Sequence, residues 1–247
     1  MGRIAVVKLI LASCLVSASL ALVSFRQAAT SSQTSMIDDF RHVEAASVAD
    51  AIEQLYKRRT YMSHDMRPLA LTKFAGPAVT VLMKREENTD GARGIQGALD
   101  AIDEAPPGSV YVMSLENGLD FAGIGGLMST AMKYRNFAGA VVDGGVRDTA
   151  QIARLQFPVF SRGIAPSTTV DHYRFAGKNI ALNCGGVEVR PGDIVVADMD
   201  GVVVVPSEHA AQVLKRAQEL DNSEHSMYPF IEKYKSIREA VAKFGRI

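Results

Sequence analysis

Cysteine is scarce in this 247-residue chain, with Cys14 and Cys184 the only two. If Cys14 leaves with an N-terminal leader, Cys184 stands alone and no intrachain disulfide can form. Net charge is absent as well: Lys+Arg and Asp+Glu both total 27. A balanced surface gives no electrostatic ground for binding nucleic acid, which needs a basic stripe. The five histidines (His42, His64, His172, His209, His225) show no paired zinc-ligand spacing. No serine sits in a nucleophile elbow. Gly123-Ile124-Gly125-Gly126 carries Met128 where a dinucleotide fingerprint needs its third glycine. Asp198-Met199-Asp200-Gly201 lacks the third acidic position and closing glutamate of a calcium loop, so it reads as a hairpin turn, and Asp193 as a similar turn residue. Tryptophan is missing too, which decides nothing. No repeat, low-complexity block or internal linker interrupts the chain after Asp38.

What is present is an ordinary globular composition, 47% apolar and 22% charged. The first residues differ from the rest. Arg3 and Lys8 are the only charges before Arg26, and an apolar, small-residue stretch runs from Leu9 to Phe25, followed by a polar run from Thr30 to Ser35. That is the layout of a secretory leader, with Ser19-Leu20-Ala21 offering cleavage after Ala21. It implies a secreted or periplasmic protein. Two alternatives stay open: a lipoprotein box at Leu11-Ala12-Ser13-Cys14, and an uncut membrane anchor near the lower length limit for a span.

The mature chain alternates between two periods. Ser47-Val48-Ala49-Asp50 opens a capped helix with an apolar stripe through Ala51, Ile52, Leu55 and Tyr56. Strands are expected at Pro77–Met83, Ser109–Ser114, Gly139–Asp143 and Pro158–Ser161, and helices at Ala92–Ile102, Leu127–Arg135 and Thr149–Leu155. Four closely spaced strands follow (Ile180–Leu182, Val187–Val189, Ile194–Ala197, Val202–Val205), then a helix over Ser207–Leu220 and a polar helical tail. Strand–helix alternation beside a β-meander predicts an α/β protein of more than one layer.

Two features carry chemistry. Gly144-Gly145-Val146-Arg147-Asp148 follows a strand, and the carboxyl ends of strands face the ligand crevice in α/β proteins. Asp can bind a cation there and Arg an anion. The same residues also fit a capping box, Asp148 with Gln151, and on spacing alone that structural reading is the stronger. Upstream, Gly125-Gly126 before Leu127 and Met128 offers free helix-start N–H groups to a carboxylate, or simply close helix packing.

Taken together, Ala138-Gly139-Ala140-Val141-Val142-Asp143-Gly144-Gly145-Val146-Arg147-Asp148, Pro158-Val159-Phe160 with Gly163 and Pro166, Pro191-Gly192-Asp193, and Ala197 through Pro206 resemble the RraA-like superfamily. The likeness runs from about Ser47 to Ile237-Arg238-Glu239-Ala240. That family includes the 4-hydroxy-4-methyl-2-oxoglutarate and 4-carboxy-4-hydroxy-2-oxoadipate aldolases and the regulator of ribonuclease E activity. The resemblance implies a single swivelling β/β/α domain over residues 36–247 behind a leader and linker over 1–35, assembled as trimers or hexamers with sites near subunit interfaces. It also implies Mg²⁺ or Mn²⁺ and release of pyruvate from a 2-oxo acid. Carried over by position, Asp148 is the metal ligand and Arg147 steadies the enolate, while the amides of Leu127 and Met128, behind Gly125 and Gly126, hold the substrate carboxylate. One departure stands out. Counting back from Arg147 over twenty intervening residues, to the place where many members carry an acidic residue, this chain has Gly126. Asp120 or Glu116 are the nearby acids that could stand in. A non-catalytic binding protein is the competing expectation. The methyltransferase label given to some relatives finds no glycine-rich cofactor loop here.

Overall fold

Four β-branched runs become the parallel heart of one sheet. In the computed structural model, which describes residues 35–245, a two-residue strand β1 (Arg67–Pro68) precedes β2 (Phe74–Arg85), β3 (Val110–Leu115), β4 (Ala122–Ile124), β5 (Gly139–Val146) and β6 (Val159–Ile164). Strands β2, β3, β5 and β6 pair in parallel in that order, and the short β4 adds beside the end of β5. Such strands need crossovers, and helices supply them. They are α2 (Gln96–Glu104), entered through a 3-10 turn at Gly91–Ile95, α3 (Gly126–Tyr134) and α4 (Thr149–Leu155). Their apolar stripes (Ala98, Ile102, Met132, Ile152) pack on one sheet face against Val81, Met113 and Val142.

The opposite face is covered by β-structure, which is why β3 and β5 read as continuous apolar runs. Val112, Val141 and Phe160 meet a hairpin of β8 (Leu182–Cys184) with β9 (Val187–Val189) and the inner residues of β10 (Ile194–Asp198) and β11 (Gly201–Val205). Strand β10 pairs antiparallel with the first residues of β2, so the long β2 belongs to both arms of the sheet. Its far end pairs with β7 (Tyr173–Lys178), a strand absent from the sequence reading. The result is the layered β/β/α arrangement that the family resemblance implied. Asp198–Gly201 closes the β10–β11 hairpin, as expected. Cys184 is buried and free, and burial pushes its thiol up.

Helix α1 (Ala45–Tyr56) packs on β10 and β11 and against α5 (Ala210–Tyr234). It begins two residues before the predicted Ser47, and no side chain of its own caps it. Its start is capped from far along the chain. Asp198 accepts from the Ala45 N–H at 2.8 Å, and Asp221 from the Glu44 N–H at 3.3 Å. Asp193 is buried and accepts from the N–H groups of Arg190 and Ser207. Helix α5 runs past the predicted stop at Leu220 and through Pro229, then turns into α6 (Ile237–Phe244). Residues 40–247 form one compact unit. Residues 35–39, part of a short helix, are the described residues that precede this unit. The leader, its cleavage position and Cys14 lie outside the described residues. Among the described residues no helix is long and apolar enough to cross a membrane.

Candidate active site at the ends of the parallel strands

The site is built on the last residues of β5. There the pairing with β6 shifts register between Val142 and Gly145. The Gly145 N–H donates to two carbonyls of the 116–121 loop, Gly118 at 3.0 Å and Phe121 at 3.1 Å. A Cβ at position 145 would lie 2.7 Å from the Phe121 oxygen, so only glycine lets the loop come this close. The loop is itself fixed at its far end. Arg85 stacks over the Phe121 ring at 4.0 Å, and the Tyr173 hydroxyl donates to the Glu116 carbonyl at 2.8 Å. Burial, the largest influence, raises the Tyr173 phenol above its ordinary range.

Past Val146 the chain turns sharply. Asp148 has φ 56°, in the left-handed region that aspartate tolerates better than most residues. The expected capping box is not formed. Asp148 stands at the start of α4, and its backbone carbonyl accepts from the N–H groups of Gln151 (2.8 Å) and Ile152 (3.1 Å), but its side chain makes no bond to its own helix. The left-handed turn instead sends the carboxylate across to α3. Oδ2 accepts from the Gly126 N–H at 2.9 Å.

That contact assembles the predicted residues. The Ser129 N–H is the first to enter the α3 ladder, bonding the Gly125 carbonyl at 3.0 Å, and Gly126 is taken by Asp148. The N–H groups of Leu127 and Met128 are the two left over at the helix start. The Leu127 side chain is 90% exposed, while Met128 packs on the helical layer of the core. Arg147 Nε lies 3.8 Å from Asp148 Oδ2, both side chains being about half exposed, so this ion pair is weak and leaves the guanidinium free for another anion. Glycine at 125 leaves room for the pair as it stands: a Cβ there would lie 2.7 Å from Asp148 Oδ2 and 3.0 Å from Arg147 Cγ and would displace those side chains.

Does this donor set suit a cation? Asp148 is a hard oxygen ligand, half exposed, beside N–H groups that can take a substrate's carboxylate. Mg²⁺ and Mn²⁺ are commonly held by one or two carboxylates with water and substrate filling the rest, so the residues fit such an ion. They fit it sparsely. Among the described residues no group of three or more His, Cys, Asp or Glu side chains could hold a metal ion. Glu116 is committed elsewhere, accepting from the Arg85 N–H at 3.1 Å, and neither it nor Asp120 joins Asp148 in such a group.

Three polar residues outside the sequence reading of the site line a cleft of about 420 Å³ between α3 and α4: Thr130, Arg154 and Gln151, the last expected only as a capping partner. Gly126, Leu127, Asp148 and Ala150 complete the lining. Nothing in their spacing marks them, because packing of α3 on α4 brings them together. On the other sheet face Arg162 bridges Asp143 (3.1 Å) and Asp65 (2.6 Å). Hydrogen bonding from Ser63, then from Arg162, holds the Asp65 carboxyl below the usual carboxylate range.

Fold and site together define a layered β/β/α protein with an Arg–Asp pair at the ends of parallel strands, opposite a helix start. A family model described as RraA-like (Aldolase/RraA) matches residues 45–204, and the chain belongs to that family. It is similar to a Halalkalibacterium halodurans protein with the provisional name 4-hydroxy-4-methyl-2-oxoglutarate aldolase, 33% identical over 74% of this chain and 81% of that one. Among solved structures, an uncharacterized Pseudomonas syringae protein aligns with a TM-score of 0.77 at 26% identity, covering 85% of this chain and 94% of its own. A Streptomyces coelicolor protein described as an unusual member of the RNase ES inhibitor RraA family aligns at 0.69 and 29% identity, covering 77% of this chain and 94% of that one.

Proposed function

We propose that this protein is a divalent-metal-dependent lyase that releases pyruvate, by retro-aldol cleavage of a 4-hydroxy-2-oxo dicarboxylic acid or by decarboxylation of oxaloacetate. The observation that carries the reading is the Asp148–Gly126 contact, which sets Arg147-Asp148 against the unused N–H groups of Leu127 and Met128. Those two amides suit the C1 carboxylate of a 2-oxo acid. Asp148 would hold Mg²⁺ or Mn²⁺, which supplies Lewis-acid polarisation of the C2 carbonyl. Arg147 serves the same oxygen. Breaking the bond beyond C3 drives electrons onto it, so a guanidinium there stabilises more charge in the transition state than in the substrate. Names of relatives such as the Halalkalibacterium protein support the reaction class.

A second reading, a non-catalytic binding protein, is favoured by one specific observation: position 126 carries no carboxylate, and no metal cluster forms among the described residues. A lactate-dehydrogenase-coupled assay over oxaloacetate and 4-hydroxy-2-oxo acids, with Mn²⁺ or Mg²⁺, separates the two. Pyruvate release that a chelator abolishes, and that Arg147→Ala lowers by about 100-fold, supports the lyase. A folded, metal-loaded sample that releases none supports the binding protein.

We also propose assembly as a trimer or hexamer. A groove of about 560 Å³ beside α4, lined by Leu69, Ile152, Phe157 and Ile164 and flanked by exposed Leu71, is an apolar face suited to a second copy. Light scattering that reports a monomer at micromolar concentration overturns this. For location, secretion predicts a mature chain beginning at Leu22, and mass spectrometry finding an intact Met1 would count against it.

A further inference from the structure

Position 126 carries no side chain, which leaves the head of the cleft between α3 and α4 open. A Cβ built at this position would lie 3.4 Å from Asp148 Oδ2 and 3.2 Å from the Cγ of Gln151. An acidic side chain here would therefore stand between those two residues, at the head of the cleft shared by α3 and α4. With glycine there, Asp148, Gln151 and Arg154 line one cleft. Arg154 is oriented by its neighbour one turn back: Nε and one terminal nitrogen donate to Gln151 Oε1 at 3.2 and 2.7 Å. Among the described residues it pairs with no carboxylate, and Gln151 offers it only a neutral oxygen. The Thr130 hydroxyl across the cleft is already spent on the Gly126 carbonyl at 2.6 Å.

We propose that Arg154 and Gln151 form a carboxylate subsite, which selects 2-oxo acids carrying a second carboxylate over those that end in an apolar chain. The inference rests on the reading that Asp148 marks the 2-oxo-acid end of the site. Gln151 follows Asp148 by about one helical turn, roughly 5 Å, and the Arg154 guanidinium reaches back to the Gln151 amide, so the subsite lies within the reach of a four- or five-carbon dicarboxylate whose head is at Asp148. The free guanidinium nitrogens and the Gln151 amide donors match a carboxylate's two oxygens.

The test uses binding rather than turnover. The Mn²⁺-loaded protein is titrated calorimetrically with 2-oxoglutarate, which has no 4-hydroxyl and cannot undergo the retro-aldol step, and with 2-oxohexanoate, in which an ethyl group replaces the distal carboxylate. Wild type is expected to favour 2-oxoglutarate by about tenfold or more, the scale of a hydrogen bond to a charged group. Arg154→Ala should abolish that preference while leaving 2-oxohexanoate binding unchanged, and Arg154→Lys should restore part of it. Equal affinities in wild type, or an undiminished preference in Arg154→Ala, overturn the subsite. The pyruvate assay runs alongside. Preference without turnover refutes the lyase and spares the subsite, while turnover without preference does the reverse.

Discussion

Replacing Gly126 with aspartate asks directly whether Asp148 is a metal ligand. The backbone accepts the change, since position 126 is the first residue of α3 and lies outside the left-handed region. A Cβ meets only the Gln151 Cγ closely, at 3.2 Å, and that side chain is long enough to yield. In the metal-free protein the new carboxylate faces Asp148, and two like charges about 5 Å apart in a watery setting cost about 1 kcal/mol. Replacing a helix glycine and placing an acid at a helix start together return a similar amount, about 1 kcal/mol. Metal-free stability should therefore stay within about 1 kcal/mol of wild type. With a divalent cation the same carboxylate becomes an asset. At about 5 Å and bulk dielectric, one added negative charge attracts a doubly charged ion by about 1.5 kcal/mol, roughly a tenfold gain in affinity. Titrating Mn²⁺ while following the free-ion electron paramagnetic resonance signal measures this, and thermal melts with and without Mn²⁺ give a second reading. An affinity for Gly126→Asp no higher than wild type, with Asp148→Asn equally without effect, would refute a metal role for this strand end.

Three further outcomes test the architecture. Asp198→Ala strips the acceptor from the Ala45 and Asp200 N–H groups, and urea unfolding should report a loss of about 1–2 kcal/mol. Gly76→Ala would drive a methyl to 2.2 Å from the Gly108 carbonyl oxygen, a backbone atom that cannot swing away, so little soluble protein should accumulate on expression. Asp65 carries a pH signature. Its folded-state pKa lies below the unfolded one, so its contribution is complete above about pH 4 and drains as pH falls toward the folded value. Asp65→Asn should therefore flatten the acid limb of stability against pH, and an unchanged limb would show that the Arg162 bridge adds nothing.

How much of this was readable in the chain follows from what each element depends on. Helix α4 was expected at Thr149–Leu155 and is found there, because a glycine-rich turn and Pro158 bracket it. Strand β7 is not marked by its sequence: Tyr173–Lys178 has one fully buried residue and an apolar alternation only as long as Tyr173 with Phe175, and pairing with the end of β2 defines it. Helix α5 passes its expected end at Leu220 and crosses the polar Asp221-Asn222-Ser223, and Met227, two turns beyond Leu220, is buried again. At the site the pattern located Arg147-Asp148 and misjudged what the aspartate bonds. The capping box assumes an extended residue before the helix, whereas φ 56° at Asp148 points the carboxylate at a different helix. No spacing rule encodes that choice, nor the gathering of Gln151 and Arg154 with Gly126.

The two carboxylates that finish α1 come from Asp198 and Asp221, and the backbone partners of the segment just after it, Val202 for Met62 and Val204 for Thr60, are also late residues. A ribosome has therefore built most of this chain before its first domain helix can be completed. Until the β10–β11 hairpin and the start of α5 emerge, the segment from Glu44 to Tyr56 keeps open N–H groups and an unburied apolar stripe. Removal of the residues from Asp198 onward should leave α1 without its caps, however intact the central parallel strands remain.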